Sequence, residues 1–290
     1  MPHPDAPRPA AFADWPRPLA FVLSGGGAFG PVQVGMLKAL RHHGIGPDLI
    51  VGTSIGALHG AVVAAHGPGA VELLEELWST ADRRVVFGGR RAMAASLVRT
   101  RSLAGVGRLA AIIDRTIDVP TFEDLGVPFA AVATDALSGE PELLTSGPLR
   151  SALLASAAVP GLLPPVVRDG RTYVDGGVAA NVPIRQAIAF GARSVVSLDA
   201  TPPQIADRVP TSFAGALLHS MSLMMRSQRA NAVDDLAARY PIAVLPSSTP
   251  PNMGSFNFSR TRQLLDESFE LSVATLDEWA SEAAAVNGDR

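Results

Sequence analysis

LAFVLSGGGAFG at Leu19–Gly30, followed by LIVGTSIG at Leu49–Gly56, decides the fold. Leu19–Leu23 is a continuous apolar run, the pattern of a strand buried on both faces of a parallel sheet. Ser24–Gly30 is a glycine loop, and Pro31 stands where a helix begins, its fixed φ suited to the first turn. Val32, Met36, Leu37 and Leu40 recur at helical spacing until Gly44, a residue type suited to a left-handed helix end. Leu49–Val51 is a second short strand, Gly52–Gly56 is a turn, and another helix follows to about His66. Strand, glycine loop, helix, strand, glycine turn, helix is a βαβα unit, and it implies a parallel sheet.

The theme continues outward. Strands are predicted at Phe129–Ala133, Thr172–Val174 and Ser194–Leu198, and the acids Asp135, Asp175 and Asp199 stand at their ends. In open α/β sheets the carboxyl ends of strands are where sites form. Helices are predicted at Ala70–Thr80, Leu109–Ile117, Leu149–Ala157, Ile184–Phe190, Phe213–Ala238 and Arg260–Ala285. There is no internal repeat and no change of composition regime. One domain over residues 18–290 is therefore expected, with a core at about 19–200 and a helical C-terminal part at 211–285, behind a disordered Pro-rich arm at 1–17.

Composition removes several classes of function. A formal net charge of −3 argues against general nucleic-acid binding, which needs a strongly basic face. With no cysteine in the chain, thiolate catalysis, disulfides and Cys-ligated metals are excluded. The N-terminus has no basic start followed by an apolar core, so it does not read as a secretory signal. No run of about 20 uninterrupted apolar residues is present to span a bilayer. A cytoplasmic protein is the expectation.

Two glycine motifs carry chemistry. Gly52-Thr53-Ser54-Ile55-Gly56 is a G-x-S-x-G nucleophile elbow, in which a tight strand-to-helix turn presents the serine Oγ at the sheet edge. Flanking glycines allow backbone crowding that a Cβ would forbid, and the following helix directs its N-terminal amides toward developing negative charge. On its own, the five-residue pattern is equally well read as a plain Gly/Ser turn. Gly25–Gly30 fits both a G-x-G-x-x-G dinucleotide fingerprint and an oxyanion loop of backbone N–H groups. The dinucleotide reading, that of a cofactor-dependent oxidoreductase, requires an acid at the end of the second strand. That strand ends in Val51-Gly52-Thr53-Ser54, with Asp48 at its wrong end, so the position supplies a nucleophile instead.

The base for Ser54 is then in question. A Ser…Asp…His order would leave only His219 after the strand-end acids, and it lies inside a helical pattern beside Leu217, Leu218 and Met221. His59 and His66 sit on the helix after the elbow and read as packing or solvent-facing residues. Without histidine a carboxylate must take the serine proton directly, and Asp135, Asp175 and Asp199 are the candidates. Asp175 precedes Gly176-Gly177, which lets backbone approach the elbow; the plain reading of the other two is a strand-end cap.

At this point the residues resemble the patatin-like phospholipases, serine lipid acyl hydrolases with a Ser–Asp dyad. The resemblance runs in order from Leu19 to Leu198. It rests on SGGGAFG at Ser24–Gly30, GTSIG at Gly52–Gly56, ATDALSGE at Ala133–Glu140, ASAAVPGLLPPV at Ala155–Val166 and DGGVAANVP at Asp175–Pro183. It implies a three-layer α/β/α sandwich with a mostly parallel sheet. It also implies Ser54 as nucleophile, Asp175 as base, and an oxyanion hole from Gly25, Gly26 and Gly27. No cofactor or metal is implied, and the substrate is a lipid or other ester. Phe29 stands where the family usually carries Arg or Lys; with Leu162 and Leu163 it is placed on the substrate side, the alternative being that it packs under the loop. A catalytically silent lipid-binding member is the alternative within the same family.

Seven arginines between Arg83 and Arg108, with no acid among them, suggest a basic surface for peripheral contact with anionic lipid. A solvated connection explains them as well, since Lys38 is the chain's only lysine and arginine its habitual cation. Met221, Met224 and Met225 fit a core helix better than an acyl-chain pocket.

Overall fold

The computed structural model describes residues 14–81, 106–202, 213–250, 253–254 and 257–288. Among these residues eight strands form one sheet: β1 (Leu19–Leu23), β2 (Leu49–Thr53), β3 (Phe129–Asp135), β4 (Pro141–Leu144), β5 (Val166–Arg168), β6 (Arg171–Asp175), β7 (Ser194–Leu198) and β8 (Ile242–Val244). The helices are α1 (Gly30–His42), α2 (Ile55–His66), α3 (Ala70–Ser79), α4 (Gly107–Thr116), α5 (Leu149–Ser156), α6 (Gly177–Ala180), α7 (Ile184–Ala189), α8 (Phe213–Leu236) and α9 (Thr261–Gly288). Hydrogen-bonded neighbours follow the path β5-β6-β3-β2-β1-β7-β8, with β4 also paired to β3. The strands β3, β2, β1, β7 and β8 run parallel.

The uninterrupted apolar run of β1 follows from burial on both faces. Leu19, Phe21 and Leu23 join the core under one helical layer, while Ala20 and Val22 join the core under the other. The first core takes its helical partners from α1, α2, α3, α4, α5 and α9, the second from α6, α7 and the end of α8. This is the expected α/β/α sandwich.

Three antiparallel pairings were not foreseen, and one of them builds the site. Ala131 pairs with Gly52 of β2 and with Leu144 of β4, so β2 and β4 flank β3 on opposite sides. Ala133 pairs with Glu142 of β4 and with Asp175 of β6. Since β4 occupies one flank throughout, β2 and β6 share the other and meet end to end. The end of β2 thereby faces the end of β6.

Residues 14–17 belong to the fold rather than to the arm expected through residue 17. Trp15 is buried in the first core, Pro16 accepts a bond from Ser194 Oγ at 2.6 Å, and Arg17 pairs with Asp48. A large aromatic ring gains more from burial than a short Pro-rich stretch loses in freedom. At the other terminus α9 lies against α1 so closely that a Cβ on Gly35 would stand 2.5 Å from the Leu265 carbonyl oxygen. Ser268 Oγ also donates to the Val32 carbonyl at 2.8 Å. Of the arginine-rich stretch, residues 83–105 lie outside the described residues, and Arg108 is on α4.

Candidate active site

Ser54 follows β2 directly and caps α2 with φ 54° and ψ −121°. A positive φ is costly for a residue with a Cβ and persists only where the surroundings enforce it. Here the enforcement is visible. Ser156 Oγ accepts the Ser54 N–H at 2.9 Å and donates to the Val132 carbonyl at 2.6 Å, tying the elbow to β3. Gly52 and Gly56 face each other across the turn, and a Cβ on Gly52 would stand 2.4 Å from the Gly56 oxygen.

Asp175 reaches the same point from the opposite direction. Its Oδ2 accepts the Ser54 hydroxyl at 2.6 Å, and its Oδ1 accepts the Gly177 N–H at 2.7 Å. Gly176 carries no side chain because one would lie 2.2 Å from the Val132 carbonyl oxygen. Thr134 Oγ1 donates to the Asp175 carbonyl at 2.9 Å, so β3 holds both partners. Ser54 is 8% exposed and Asp175 5%, which leaves the pair reachable but poorly hydrated. Burial pushes the Asp175 carboxyl up to about 6, opposed by the bonds from Ser54 and Gly177.

The competing acids are engaged elsewhere. Asp135 accepts the N–H groups of Leu137 and Ser138 at 2.9 and 3.0 Å, and the Ser138 and Leu137 amides hold its carboxyl below the usual range. Asp199 accepts Thr201 Oγ1 at 2.6 Å and pairs with Arg229 of α8. Asp48 accepts the Leu19 N–H at 2.7 Å, at the start of β1 and away from the glycine loop. His219 sits on α8, half-buried.

Of the three glycines expected to form an oxyanion hole, Gly25 needs correction. Its N–H already donates to the Asn181 carbonyl at 3.0 Å. Gly25 is glycine for a different reason: a Cβ would stand 2.5 Å from Asn181 Oδ1 and 3.5 Å from Ser54 Cβ. Gly27, at φ 57°, lines the cleft together with Ser54, and Gly26 precedes it. The expectation for Phe29 is also corrected. It is 3% exposed, lies in the core and packs beneath Gly26. The aromatic ring is more stable under the loop than in water.

The cleft lined by Ser54 has about 1000 Å³ of empty space, part of it open to solvent. One face of α2 forms its floor through Ile55, Leu58, His59 and Val62, with the i, i+3, i+4, i+7 spacing of a helical stripe. Leu74 and Trp78 of α3 and Leu109 and Ile113 of α4 add apolar walls, and the expected Leu162 and Leu163 both line it. Of the methionines, Met224 is exposed, whereas Met225 Cε approaches to 3.3 Å of where a Gly177 Cβ would be. Among the described residues no group of three or more His, Cys, Asp or Glu side chains is placed to hold a metal ion. No helix among them is long and apolar enough to cross a membrane.

Several residues that build this site escaped the reading of the sequence. Ser156 and Asn181 lie inside motifs that resemble the family, yet nothing in their spacing showed what they hold. His59 reads in sequence as a packing or solvent-facing residue, and nothing in the helical pattern singles out Gln33.

The three-layer fold and this Ser–Asp contact place the chain among α/β proteins that present a serine on a strand-to-helix elbow. It belongs to the patatin-like phospholipase family, whose model matches residues 21–188. The chain is 27% identical over 296 residues to lysophospholipase NTE1 of Mycosarcoma maydis, a match covering 93% of this chain and 15% of that protein. An uncharacterized NTE family protein of Mycobacterium bovis is 34% identical over 185 residues, 61% of this chain and 48% of the other. Patatin-like phospholipase domain-containing protein 7 of Rattus norvegicus is 33% identical over 184 residues, 62% of this chain and 13% of that protein. The chain therefore spans about half the length, or less, of these curated relatives. Among solved structures, VipD from Legionella pneumophila matches with a TM-score of 0.46 at 14% identity, over 93% of this chain and 69% of that one.

Proposed function

We propose that this chain hydrolyses acyl esters of lipids through an acyl-enzyme on Ser54. The observation that carries the reading is the 2.6 Å contact between a buried Asp175 carboxylate and Ser54 Oγ, whose residue lines an apolar cleft. Asp175 takes the hydroxyl proton as Ser54 Oγ bonds to the ester carbonyl carbon. The N–H groups of Gly26 and Gly27 stabilise the oxyanion that forms. Collapse breaks the ester C–O bond, and the proton passes from Asp175 to the departing alcohol. Water then gives its proton to Asp175, attacks the acyl carbon, and the fatty acid leaves as Ser54 is restored. The names of the relatives, a lysophospholipase among them, agree with this substrate class.

The cleft suits one acyl chain. Its floor runs from Ser54 to Val62 along α2, a rise of about 12 Å, comparable to an extended chain of about ten carbons.

Treatment with a fluorophosphonate, followed by peptide mass spectrometry, tests the reading. A single adduct on Ser54 is expected, absent from Ser54→Ala. A folded protein that takes no adduct there, and cleaves no short- or long-chain ester, would be a silent member of the family.

A further inference from the structure

A string of buried hydrogen bonds links the cleft wall to the root of the glycine loop. Trp78 Nε1–H donates to His59 Nε2 at 2.9 Å, and His59 Nδ1 lies 2.9 Å from Gln33 Oε1. Gln33 Nε2 in turn donates to the Ser24 carbonyl at 2.7 Å and the Leu198 carbonyl at 3.2 Å. Gln33 and His59 are completely buried.

The chemistry of the groups permits one direction only. An indole N–H can donate but not accept, so His59 Nε2 must be the acceptor. A neutral imidazole then carries its proton on Nδ1 and gives it to Gln33 Oε1. This orientation of the amide leaves its NH₂ facing the two carbonyls, which need a donor. Burial keeps His59 neutral, its pKa lowered to about 3.

Both ends of the string bear on the site. Ser24 immediately precedes Gly25–Gly27, and its Oγ accepts the Ala200 N–H at 3.0 Å, so Gln33 fastens the loop's root to the end of β7. At the far end His59 and Trp78 line the cleft with Ser54. Gly30, the last glycine of the loop, fits against the same two rings. A Cβ there would meet Trp78 Cζ2 at 2.1 Å and His59 Cε1 at 2.9 Å.

We propose that Trp78, His59 and Gln33 are positioning residues that hold the Gly25–Gly27 loop in the orientation its amides need at the transition state. This rests on the hydrolase reading above. Loss of the Trp78 N–H frees His59 to change tautomer. The Gln33 amide then loses a fixed partner at Oε1, its hold on the Ser24 and Leu198 carbonyls loosens, and the loop shifts.

The test compares Trp78→Phe and Gln33→Met with wild type in the full chain. Three readouts are used: kcat and KM on one fatty-acyl ester, affinity for a trifluoromethyl ketone of the same chain length, and thermal melting. The ketone forms a tetrahedral adduct and reports oxyanion stabilisation. Trp78→Phe should lower kcat about tenfold and Gln33→Met about a hundredfold, with KM within about threefold, because a small misplacement of catalytic groups carries a penalty of this size. Ketone affinity should fall in step with kcat/KM, as expected for interactions made only in the transition state. Unchanged kcat with a lowered melting temperature would make the string merely structural. A raised KM with unchanged kcat would make His59 and Trp78 cleft wall alone. Either result overturns the proposal. Should Gln33→Met fail to fold, the milder Trp78→Phe still decides. Wild type that neither turns over ester nor takes the fluorophosphonate would sink the hydrolase reading itself, a distinct outcome.

Discussion

Asp175→Asn is expected to lower kcat by about 10³- to 10⁴-fold while the protein folds normally. The amide can still share a hydrogen bond with Ser54 Oγ, but it cannot take the proton. The other two strand-end acids, Asp135 and Asp199, are held by their own partners. In wild type the raised Asp175 pKa, about 6, means that kcat/KM should fall as pH drops below that value. The same shift makes a statement about stability. The folded chain binds this proton more tightly than the unfolded chain, so the stabilisation is full below about pH 4 and is lost as pH rises through about 6. At pH 8 the buried charge therefore costs the fold, on the order of 3 kcal/mol at most. The melting temperature of Asp175→Asn at pH 8 should accordingly be no lower than that of wild type. Turnover within tenfold of wild type would remove Asp175 as the base.

Gly56→Ala should show a large loss of stability. The added Cβ would stand 2.4 Å from the Leu23 carbonyl oxygen and 2.5 Å from that of Ser24, both fixed backbone at the end of β1 and the start of the glycine loop. Neither can move without lifting α2 off the sheet. Overpacking of this kind costs about 3 kcal/mol, a fall in melting temperature of roughly 5 °C for a domain of this size. Because Ser54 caps α2, the shift also separates the nucleophile from the loop amides. We expect kcat to drop by about a hundredfold in whatever fraction folds. Gly107→Ala is the control. Nothing lies within 4 Å of a Cβ at that position, which opens α4, and alanine favours the helix. Scanning calorimetry that finds Gly56→Ala within 2 °C of that control would refute the close approach.

Much was legible in the chain because the signals are local. Both-face burial makes strands such as β1 and β7 uniformly apolar, and helical spacing marked α3, α5, α7 and the long α8 and α9 to within a few residues. Short strands at Pro141–Leu144, Val166–Arg168 and Ile242–Val244 went unseen, since three or four residues carry no periodicity to read. Phe29 and Gly25 were misassigned for a related reason. Proximity to a motif is visible in sequence, but which way a ring points, or which acceptor an amide has already found, is not.

What the sequence alone determined is the parallel core and the kinds of group on hand: an elbow serine, a glycine loop and strand-end acids. A residue's apolar period and its need for a missing Cβ are properties of a few neighbouring positions, so they survive in one dimension. Only the tertiary structure decided which acid meets the serine. β6 runs antiparallel to β3 and abuts β2 on the same flank, bringing together positions 54 and 175. Strand direction and flank depend on how distant segments compete for the edges of β3, a choice written in no short stretch of the chain. The same holds for the Trp78–His59–Gln33 string, whose polarity follows from one indole N–H on a separate helix.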